Sequence, residues 1–294
     1  MAEKRLTLKD WAEGIGAVAL YGFFRALPVD WASGLGGFLA RSIGPFLGIT
    51  KRARENLRRA MPELSPEERE RVIRGMWDNL GRVVAEYPHL KKFRLFDKNS
   101  RVEGIDEGNL LAGRDPNRRY IFFSAHYGNW EIATRAATQT GYELLGIYRA
   151  PNNPLVDRLI TWARGTDGGA LVPKGAAAAK EAFGALHEGR ELCMLIDQKL
   201  NDGVPIPFFG RDAMTAPALA ILALRFNCVV VPVRIVRLKG AHFRMISEPP
   251  LPLPKTGNTA ADRITLMTSV NAVIERWVRE HPEQWLWVHR RWPD

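Results

Sequence analysis

Cysteine is scarce in this 294-residue sequence, which contains only Cys193 and Cys228, each inside an apolar run. Neither has the spacing of a metal site, and isolated apolar cysteines are typical of reduced core residues on the cytosolic side. The sequence also lacks the Gly-x-Ser-x-Gly, His-Glu-x-x-His and Gly-x4-Gly-Lys-Ser/Thr motifs. These absences argue against a covalent serine hydrolase and a zinc enzyme, so we expect no metal at the functional site.

Long hydrophobic runs are missing as well. Residues 14–24 are apolar but too few to span a bilayer, which takes about 20 apolar residues, and the run at residues 31–49 contains Arg41 and Pro45. No small-residue cleavage site follows the first run, which argues against a signal peptide. We therefore predict short apolar helices within residues 1–50 that lie on or dip into a membrane. Ordinary core helices of a soluble enzyme would give the same pattern.

Charge of one sign dominates. The net charge is +10 and the sequence pI is near 9.8, which indicates an anionic partner: nucleic acid, an anionic bilayer or an acidic protein. A basic cluster follows the apolar helices and would either meet anionic headgroups or face solvent. Its members are Lys51, Arg52, Arg54, Arg58 and Arg59.

The pattern beyond residue 100 alternates between apolar strands and amphipathic helices, which predicts an α/β fold. Strands are expected near residues 101–104, 120–124, 142–148, 191–197 and 228–237. Helices are expected near residues 105–113, 130–140, 153–165, 175–188 and 215–226. A further strand at Met245 and Ile246 would run antiparallel, and a last helix would cover residues 259–280. We predict a mainly parallel central sheet flanked by helices, with residues 1–50 as an apolar helical membrane-associating segment and 51–294 as one α/β domain.

The stretch from residue 120 to 139 is the centre of the functional prediction. An apolar strand ends just before His126, and Glu131 falls in the first turn of the helix that follows. Ligands of α/β proteins collect at the carboxyl ends of strands, so the two side chains are expected to converge. A carboxylate that fixes one ring nitrogen leaves the other free as a general base. With backbone N–H groups at the helix start holding negative charge on a carbonyl oxygen, the pair predicts acyl transfer to a hydroxyl by direct attack.

Other residues on the same rim are candidates for binding a substrate. Arg149 ends a strand and suits a phosphate, although a surface arginine would look the same. Asp197 closes another strand, where an acid also serves as a turn cap. Arg164 would by itself be a favourable charge at a helix C-terminus. Asn129 lies in the turn between His126 and the helix.

Two aromatic segments complete the pattern. Residues 205–210 are interpreted as an apolar loop that forms a wall or lid for an acyl chain. Residues 285–292 alternate like an edge strand.

The stretch Ser124-Ala125-His126-Tyr127-Gly128-Asn129-Trp130-Glu131 resembles the His-x4-Asp/Glu motif of the lysophospholipid acyltransferase superfamily. It is most similar to the late (lauroyl/myristoyl) acyltransferases of lipid A biosynthesis. The resemblance continues, in chain order, through residues 148–154, 162–164, 196–198, 207–210 and 285–292. Six blocks in order cover nearly the whole chain.

The resemblance implies an O-acyltransferase in which His126 and Glu131 act as a catalytic dyad without a covalent intermediate. Arg149, Arg164, Asp197 and Asn129 would bind substrate, and the recurrence of the C-terminal tail in the family implies that Arg290 or Arg291 binds phosphate. The implied partners are acyl carrier protein as donor, anionic membrane lipid and a lipid A precursor as lipid acceptor, with no cofactor and no nucleic acid. The enzyme would act at the cytoplasmic face of the inner membrane, peripherally or through an N-terminal anchor.

Alternatives remain at this point. The sequence has Asp197-Gln198-Lys199 where some relatives have a second acid, so the acceptor is less defined than the reaction. A lysophospholipid, glycolipid or ornithine-type lipid fits the same chemistry, and coenzyme A is an alternative donor. A hypothesis from another class is a non-catalytic basic protein that binds membrane or nucleic acid.

Overall fold

The computed structural model describes residues 6–95, 97, 99–106, 115, 117–139, 141–165 and 169–293, with all their side chains except those of residues 136–138 and 176. The α-helices are α1 (Leu8–Ala26), α2 (Val29–Ile43), α3 (Thr50–Ala60), α4 (Pro66–Glu86), α5 (Glu131–Thr138), α6 (Pro154–Arg164), α7 (Ala176–His187), α8 (Ala218–Phe226) and α9 (Thr259–Glu280). The strands are β1 (Val102–Asp106), β2 (Tyr120–Ser124), β3 (Leu144–Tyr148), β4 (Ala170–Pro173), β5 (Glu191–Leu195), β6 (Lys199–Phe208), β7 (Arg211–Thr215), β8 (Val229–Arg237) and β9 (Phe243–Ser247). Short 3₁₀ helices occupy Gly44–Phe46, Tyr87–Lys92 and Pro282–Gln284.

A seven-stranded sheet forms the centre of the molecule, in the order β1-β9-β8-β2-β5-β3-β4. The strands from β8 to β4 run parallel to one another, β9 is antiparallel to β8, and β1 is parallel to β9. The predicted α/β class, with a mainly parallel sheet flanked by helices, is confirmed. The antiparallel strand near Met245 and the last helix over residues 259–280 are confirmed too.

The central strand β2 is buried along its whole length. Its residues alternate between two apolar clusters: Ile121 and Phe123 belong to one, and Tyr120 and Phe122 to the other. Since helices cover both faces of a parallel sheet, both sets of side chains lose contact with water, which explains the unbroken apolar run in the sequence. The strand therefore holds the residues after its end on a rigid support.

Two sequence predictions need correction, and a third lies mostly outside the described residues. The segment predicted as a loop at residues 205–210 is part of the β6–β7 hairpin, whose two-residue turn has Phe209 at φ 53° and Gly210 at φ 67°. Positive φ at both turn residues matches the twist of a hairpin, but phenylalanine gives no sequence signal for it. The expected edge strand at residues 285–292 is irregular, with one isolated bridge from Trp285 to Tyr127. The expected helix at residues 105–113 overlaps β1 at its start and otherwise lies outside the described residues.

The first two helices pack on the α/β body. The Ser33 hydroxyl of α2 donates to buried Glu86 of α4 at 2.6 Å, and a side chain at Gly14 of α1 would collide with Leu155 of α6. Within the part of the chain that the structure describes, no helix has both the length and the apolarity needed to cross a bilayer. The domain boundary at residue 50 and the membrane-associating role of residues 1–50 stay predictions.

Candidate functional site

The register between β2 and β5 brings two polar side chains to one point on the rim of the sheet. Ser124 is paired with Leu195, and the N–H of Ile196 donates to the carbonyl of Ser124 at 3.0 Å. His126 and Asp197 each follow two residues after those paired strand ends. Because the two strands are parallel neighbours, their next residues lie side by side at the carboxyl edge.

Asp197 fixes the ring of His126. Its Oδ1 lies 2.8 Å from Nδ1 of the imidazole, and its Oδ2 accepts the backbone N–H of His126 and the indole N–H of Trp285, both at 2.9 Å. Burial would raise the pKa of Asp197, but the charge and hydrogen bonds of His126 outweigh it and hold the pKa below its usual value. The carboxylate is therefore ionised, and it selects the tautomer with the proton on Nδ1.

The other ring nitrogen, Nε2, faces a small set of polar and aromatic groups. The side-chain nitrogen of Gln198 lies 3.2 Å from Nε2. The ring of His289 packs edge-on against that of His126, with ring centroids 4.8 Å apart. The ring centroids of Trp130 and His126 are 5.1 Å apart. The His126 side chain keeps 15% of its surface exposed, so Nε2 is the nitrogen available to a bound molecule.

His289 is held neutral. Burial, followed by the charge of His126, lowers the pKa of His289 to about 4. Its Nε2 atom is buried and has no hydrogen-bond partner within the described part of the chain. A neutral imidazole can donate or accept a hydrogen bond through such a nitrogen, but in this structure Nε2 of His289 is covered by protein atoms.

Glu131 has a different partner from the one expected. Both its oxygens accept hydrogen bonds from Arg164 at 2.7 Å, and Oε1 also accepts the indole N–H of Trp130 at 3.0 Å. Arg164 in turn donates to the Tyr87 hydroxyl at 3.3 Å. Burial would raise the pKa of Glu131, but the charge and hydrogen bonds of Arg164 outweigh it, so the pKa lies below its usual value.

The structure therefore changes the predicted partner of His126. The sequence paired His126 with Glu131, but the acid at Nδ1 is Asp197. The physical reason is that Glu131 begins α5 with its side chain buried against Arg164 on α6, whereas Asp197 follows the strand adjacent to β2. Trp130 is the link between them, since its ring packs against His126 and its N–H binds Glu131.

Asn129 is placed inside the protein. It is fully buried; its side-chain N–H donates to Glu86 at 2.7 Å, and its side-chain oxygen accepts from the backbone of Glu131. The N–H groups of Ile132 and Ala133 donate to the carbonyls of Asn129 and Trp130. The backbone groups expected to stabilise an oxyanion at the start of α5 are therefore already used within the loop.

The arginines expected on the rim have different surroundings. Arg149 is exposed after β3, and its charge contributes to lowering the pKa of His289, which places it near the His126 cluster. Arg290 is exposed, but Arg291 is fully buried and donates to Thr215 and Asn271. Of these two, only Arg290 is accessible to a phosphate.

Sequence reasoning assigned no role to Tyr87, Gln198, Trp285 or His289. The contacts of these residues join segments far apart in the chain, as His126 and His289 do, and no local pattern reveals them. The one available signal was the aromatic C-terminal block, residues 285–292. In the structure this block lies at the rim, where the N–H of Leu286 donates to the carbonyl of His126 at 3.2 Å.

A metal has one possible set of ligands among the described residues. Ligand atoms of His126, Asp197 and His289 lie within 4.8 Å of one another. Two imidazoles and a carboxylate suit zinc in principle. In this structure the same atoms of His126 and Asp197 are hydrogen-bonded to each other, and the absence of a metal stays a prediction.

The sheet and its rim define a class of protein. It is an α/β protein in which an ionised, buried carboxylate orients a histidine at the carboxyl end of parallel strands, an arrangement suited to moving a proton on and off a bound hydroxyl.

Within that class, the chain belongs to the bacterial lipid A biosynthesis acyltransferases, because the model of this family matches residues 1–294. The chain is 28% identical over 270 residues to the lipid A biosynthesis palmitoleoyltransferase of Escherichia coli (strain K12), covering 86% of this chain and 83% of that one. It is 26% identical over 247 residues to the lauroyltransferase of the same strain, covering 80% and 76%. It is 24% identical over 285 residues to the myristoyltransferase, covering 95% and 85%. The family predicted from the motifs is confirmed, and the chain is an O-acyltransferase.

Proposed function

We propose that this enzyme transfers a fatty acyl group from an acyl thioester to a hydroxyl of a lipid A precursor, with His126 as the general base. The observation that carries the proposal is the hydrogen bond from Nδ1 of His126 to ionised Asp197, which leaves Nε2 as the basic atom at the rim. The family and the names of its relatives support a lipid acceptor of this class.

The reaction follows from that arrangement. Nε2 of His126 takes the proton of the acceptor hydroxyl while the oxygen attacks the thioester carbonyl. The tetrahedral intermediate collapses, the C–S bond breaks, and the imidazolium returns its proton to the leaving thiolate. Asp197 stabilises the imidazolium through Nδ1 and keeps the ring in register, as a carboxylate does in other histidine bases.

Two groups near Nε2 of His126 support the proton transfer and the development of negative charge. The side chain of Gln198 holds Nε2 before substrate binds, so the acceptor hydroxyl replaces it. Neutral His289 has a buried nitrogen without a partner among the described residues, and a rotation of its side chain would let that nitrogen donate to the thioester oxygen as negative charge develops.

In this proposal Glu131 acts on His126 indirectly, through other residues. Its ion pair with Arg164 fixes the loop that carries His126, and Trp130 transmits that position to the imidazole ring. Glu131 is therefore a positioning residue, and Asp197 is the carboxylate that touches the base.

Acyl carrier protein is the proposed donor, with coenzyme A as the alternative. The net charge of +10 favours an acidic carrier because charge complementarity speeds association. Arg149 and Arg290 are exposed cations near the rim that suit a phosphate of either donor.

Peripheral association with the cytoplasmic face of the inner membrane is the proposed location. Large apolar side chains are exposed along α1, α2 and the turn that follows, where a lipid surface would cover them. They include Leu8, Trp11, Ile15, Val18, Phe23, Trp31, Phe38, Ile43 and Phe46.

The test is reconstitution with lipid acceptor and acyl carrier protein thioester, followed by mass spectrometry of the lipid. The wild-type protein is expected to add one acyl mass to a lipid A precursor, and His126→Ala to add none while remaining folded. His187→Ala, an exposed histidine on α7, is the matched control and should keep full activity. Acylation of a lysophospholipid, glycolipid or ornithine-type lipid in place of the precursor would overturn the proposed acceptor. Equal turnover by His126→Ala would overturn the mechanism.

A further inference from the structure

Two hollows flank the side chain of Trp162 on the surface formed by α1 and α6. The first is an apolar groove of about 550 Å³. Trp11, Ile15 and Val18 line it from α1, and Leu155, Leu159 and Trp162 line it from α6. Trp11, Ile15, Val18 and Trp162 are each at least half exposed, so the groove is open to the outside of the molecule.

The second hollow is cationic and has a volume of about 420 Å³. Arg25, Lys91 and Lys92 line it together with the rings of Tyr21 and Tyr87. Within the described ranges, none of the three cations has a carboxylate partner. The charges of Lys92 and Arg25 contribute, after burial, to lowering the pKa of His89, which lines the same hollow.

The two hollows are arranged end to end along α1. Trp11 lies beside the apolar groove and Arg25 beside the cationic pocket, and fourteen residues of helix span about 21 Å. One leaflet of hydrocarbon is about 15 Å thick, so this length accommodates a fatty chain followed by a headgroup.

We infer that the groove and the cationic pocket together bind one anionic phospholipid of the membrane, with a fatty chain between α1 and α6 and its phosphate among Arg25, Lys91 and Lys92. Neither His126 nor Asp197 lines either hollow, so this site is separate from the one proposed for acyl transfer and goes beyond it.

A lipid fits both halves of the site. A free phosphate would use the cations but leave the apolar groove in water, and an acidic protein segment would bury charged or backbone groups against it. The exposed apolar side chains of α1 continue outward from the groove, so a lipid can enter from a bilayer that this helix contacts.

The pocket also touches the interior of the enzyme. Tyr87 lines the pocket, and its hydroxyl accepts a hydrogen bond from Arg164, which holds Glu131. A phosphate bound beside Tyr87 therefore lies next to the ion pair that positions the His126 loop.

The test compares two sets of vesicles with identical charge, made of phosphatidylcholine with a minor fraction of phosphatidylglycerol. Brominated chains, which quench tryptophan fluorescence on contact, are carried by phosphatidylglycerol in one set and by the same fraction of phosphatidylcholine in the other. Sedimentation measures the bound protein, and no acyl donor is present. We expect stronger quenching per bound molecule when bromine is on phosphatidylglycerol, because Trp11 and Trp162 line the groove.

Two variants separate a defined site from general adhesion. Lys91→Glu/Lys92→Glu is expected to lose the preference for phosphatidylglycerol and to weaken binding at least about 30-fold. Its matched control, Lys180→Glu/Lys255→Glu, changes the net charge equally at exposed positions outside both hollows and should keep the preference. Ala19→Phe fills the groove and is expected to reduce the quenching even though it adds apolar surface.

Several outcomes would overturn the inference. Equal quenching from both vesicle sets would mean that there is no selective site. Equal losses in the two lysine variants would mean a diffuse charge effect, and stronger quenching in Ala19→Phe would mean simple partitioning. Competition by inorganic phosphate alone, with unchanged quenching of the groove, would assign the pocket to free phosphate. Since these readouts need no turnover, they are independent of the acyltransferase assay.

Discussion

At the residue level, the geometry of this site depends on which acid meets His126. The His-x4-Glu spacing is local, so sequence analysis found both residues and expected them to pair. Asp197 was also expected on the rim, from its place after an apolar strand. That it binds Nδ1 follows from the adjacency of β2 and β5, strands separated by the whole of β3 and β4 in the chain. Strand order is a tertiary property, and for that reason the partner could not be chosen from the sequence.

Replacing Asp197 by Asn is expected to reduce turnover, whereas replacing Glu131 by Gln is expected to reduce stability. Asp197→Asn removes the charge that fixes the tautomer of His126, so kcat should fall about 10²- to 10⁴-fold while the fold is retained. Glu131→Gln leaves Arg164 without its charged partner, which should cost on the order of 3 kcal/mol of stability. Steady-state kinetics and urea denaturation of both variants check this. A Glu131→Gln variant with full stability and no turnover would instead place Glu131 in the chemistry.

His289 predicts a specific pH dependence of stability. Its folded pKa of about 4 lies below the ordinary value of 6.5, so between these pH values the unfolded chain binds a proton that the folded chain does not. Stability is therefore complete above about pH 6.5 and decreases as the pH falls towards 4. From about pH 7.5 to pH 5 the loss should be about 2 kcal/mol, and His289→Asn should lack it.

The measurement is the difference in free energy of unfolding between wild type and His289→Asn across that range. Asp197 does not interfere, because its lowered pKa means that its contribution is lost only below about pH 4. Parallel curves for the two proteins would show that His289 titrates normally.

At the level of elements, long patterns were predictable and pairings were not. The strand at residues 120–124 and the helix at residues 259–280 were expected with the bounds that the structure has, because both have strong apolar periodicity. β4 is short and half exposed, and the β6–β7 turn contains phenylalanine at a position where glycine or asparagine is usual, so neither gave a signal.

The contact between α2 and α4 provides a matched pair of glycine variants. A Cβ atom at Gly81 of α4 would lie 2.2 Å from the carbonyl oxygen of Gly36, whereas one at Gly34 of α2 meets nothing within 4 Å. Gly81→Ala should lower the free energy of unfolding by about 2 kcal/mol, since the helices must separate. Gly34→Ala should raise it by up to about 1 kcal/mol through helix propensity. Urea denaturation measures both, and equal effects would show that the helices are not in contact.

At the level of the whole molecule, apolar surface and positive charge lie on the same part of the chain. The exposed apolar residues of α1 and α2 precede the basic residues of α3, and the structure places all three helices on the α/β body. Composition predicted an anionic partner, but the sequence could not separate core helices from membrane-facing ones, because both kinds have apolar residues. In the folded chain many of these apolar side chains are exposed, and their membrane-facing role stays a prediction.

Binding to anionic vesicles should depend on this apolar surface. Trp31 and Phe46 are 74% and 86% exposed, so Trp31→Ser/Phe46→Ser should weaken binding on the order of 100-fold with little change in stability. Leu238→Ser/Ile264→Ser, at exposed apolar positions elsewhere, is the control and should bind like wild type. Vesicle sedimentation measures both variants, and equal losses would remove the case for a preferred orientation.

Trp285 has a consequence for the newly made chain. Its indole donates to Asp197, and the N–H of Leu286 donates to the carbonyl of His126, so His126 acquires its full support only after residue 286 has left the ribosome. A nascent chain that has folded its central sheet without this segment would still lack part of the support of His126. We expect that the order of synthesis itself delays the onset of acyl transfer until the aromatic C-terminal block has docked.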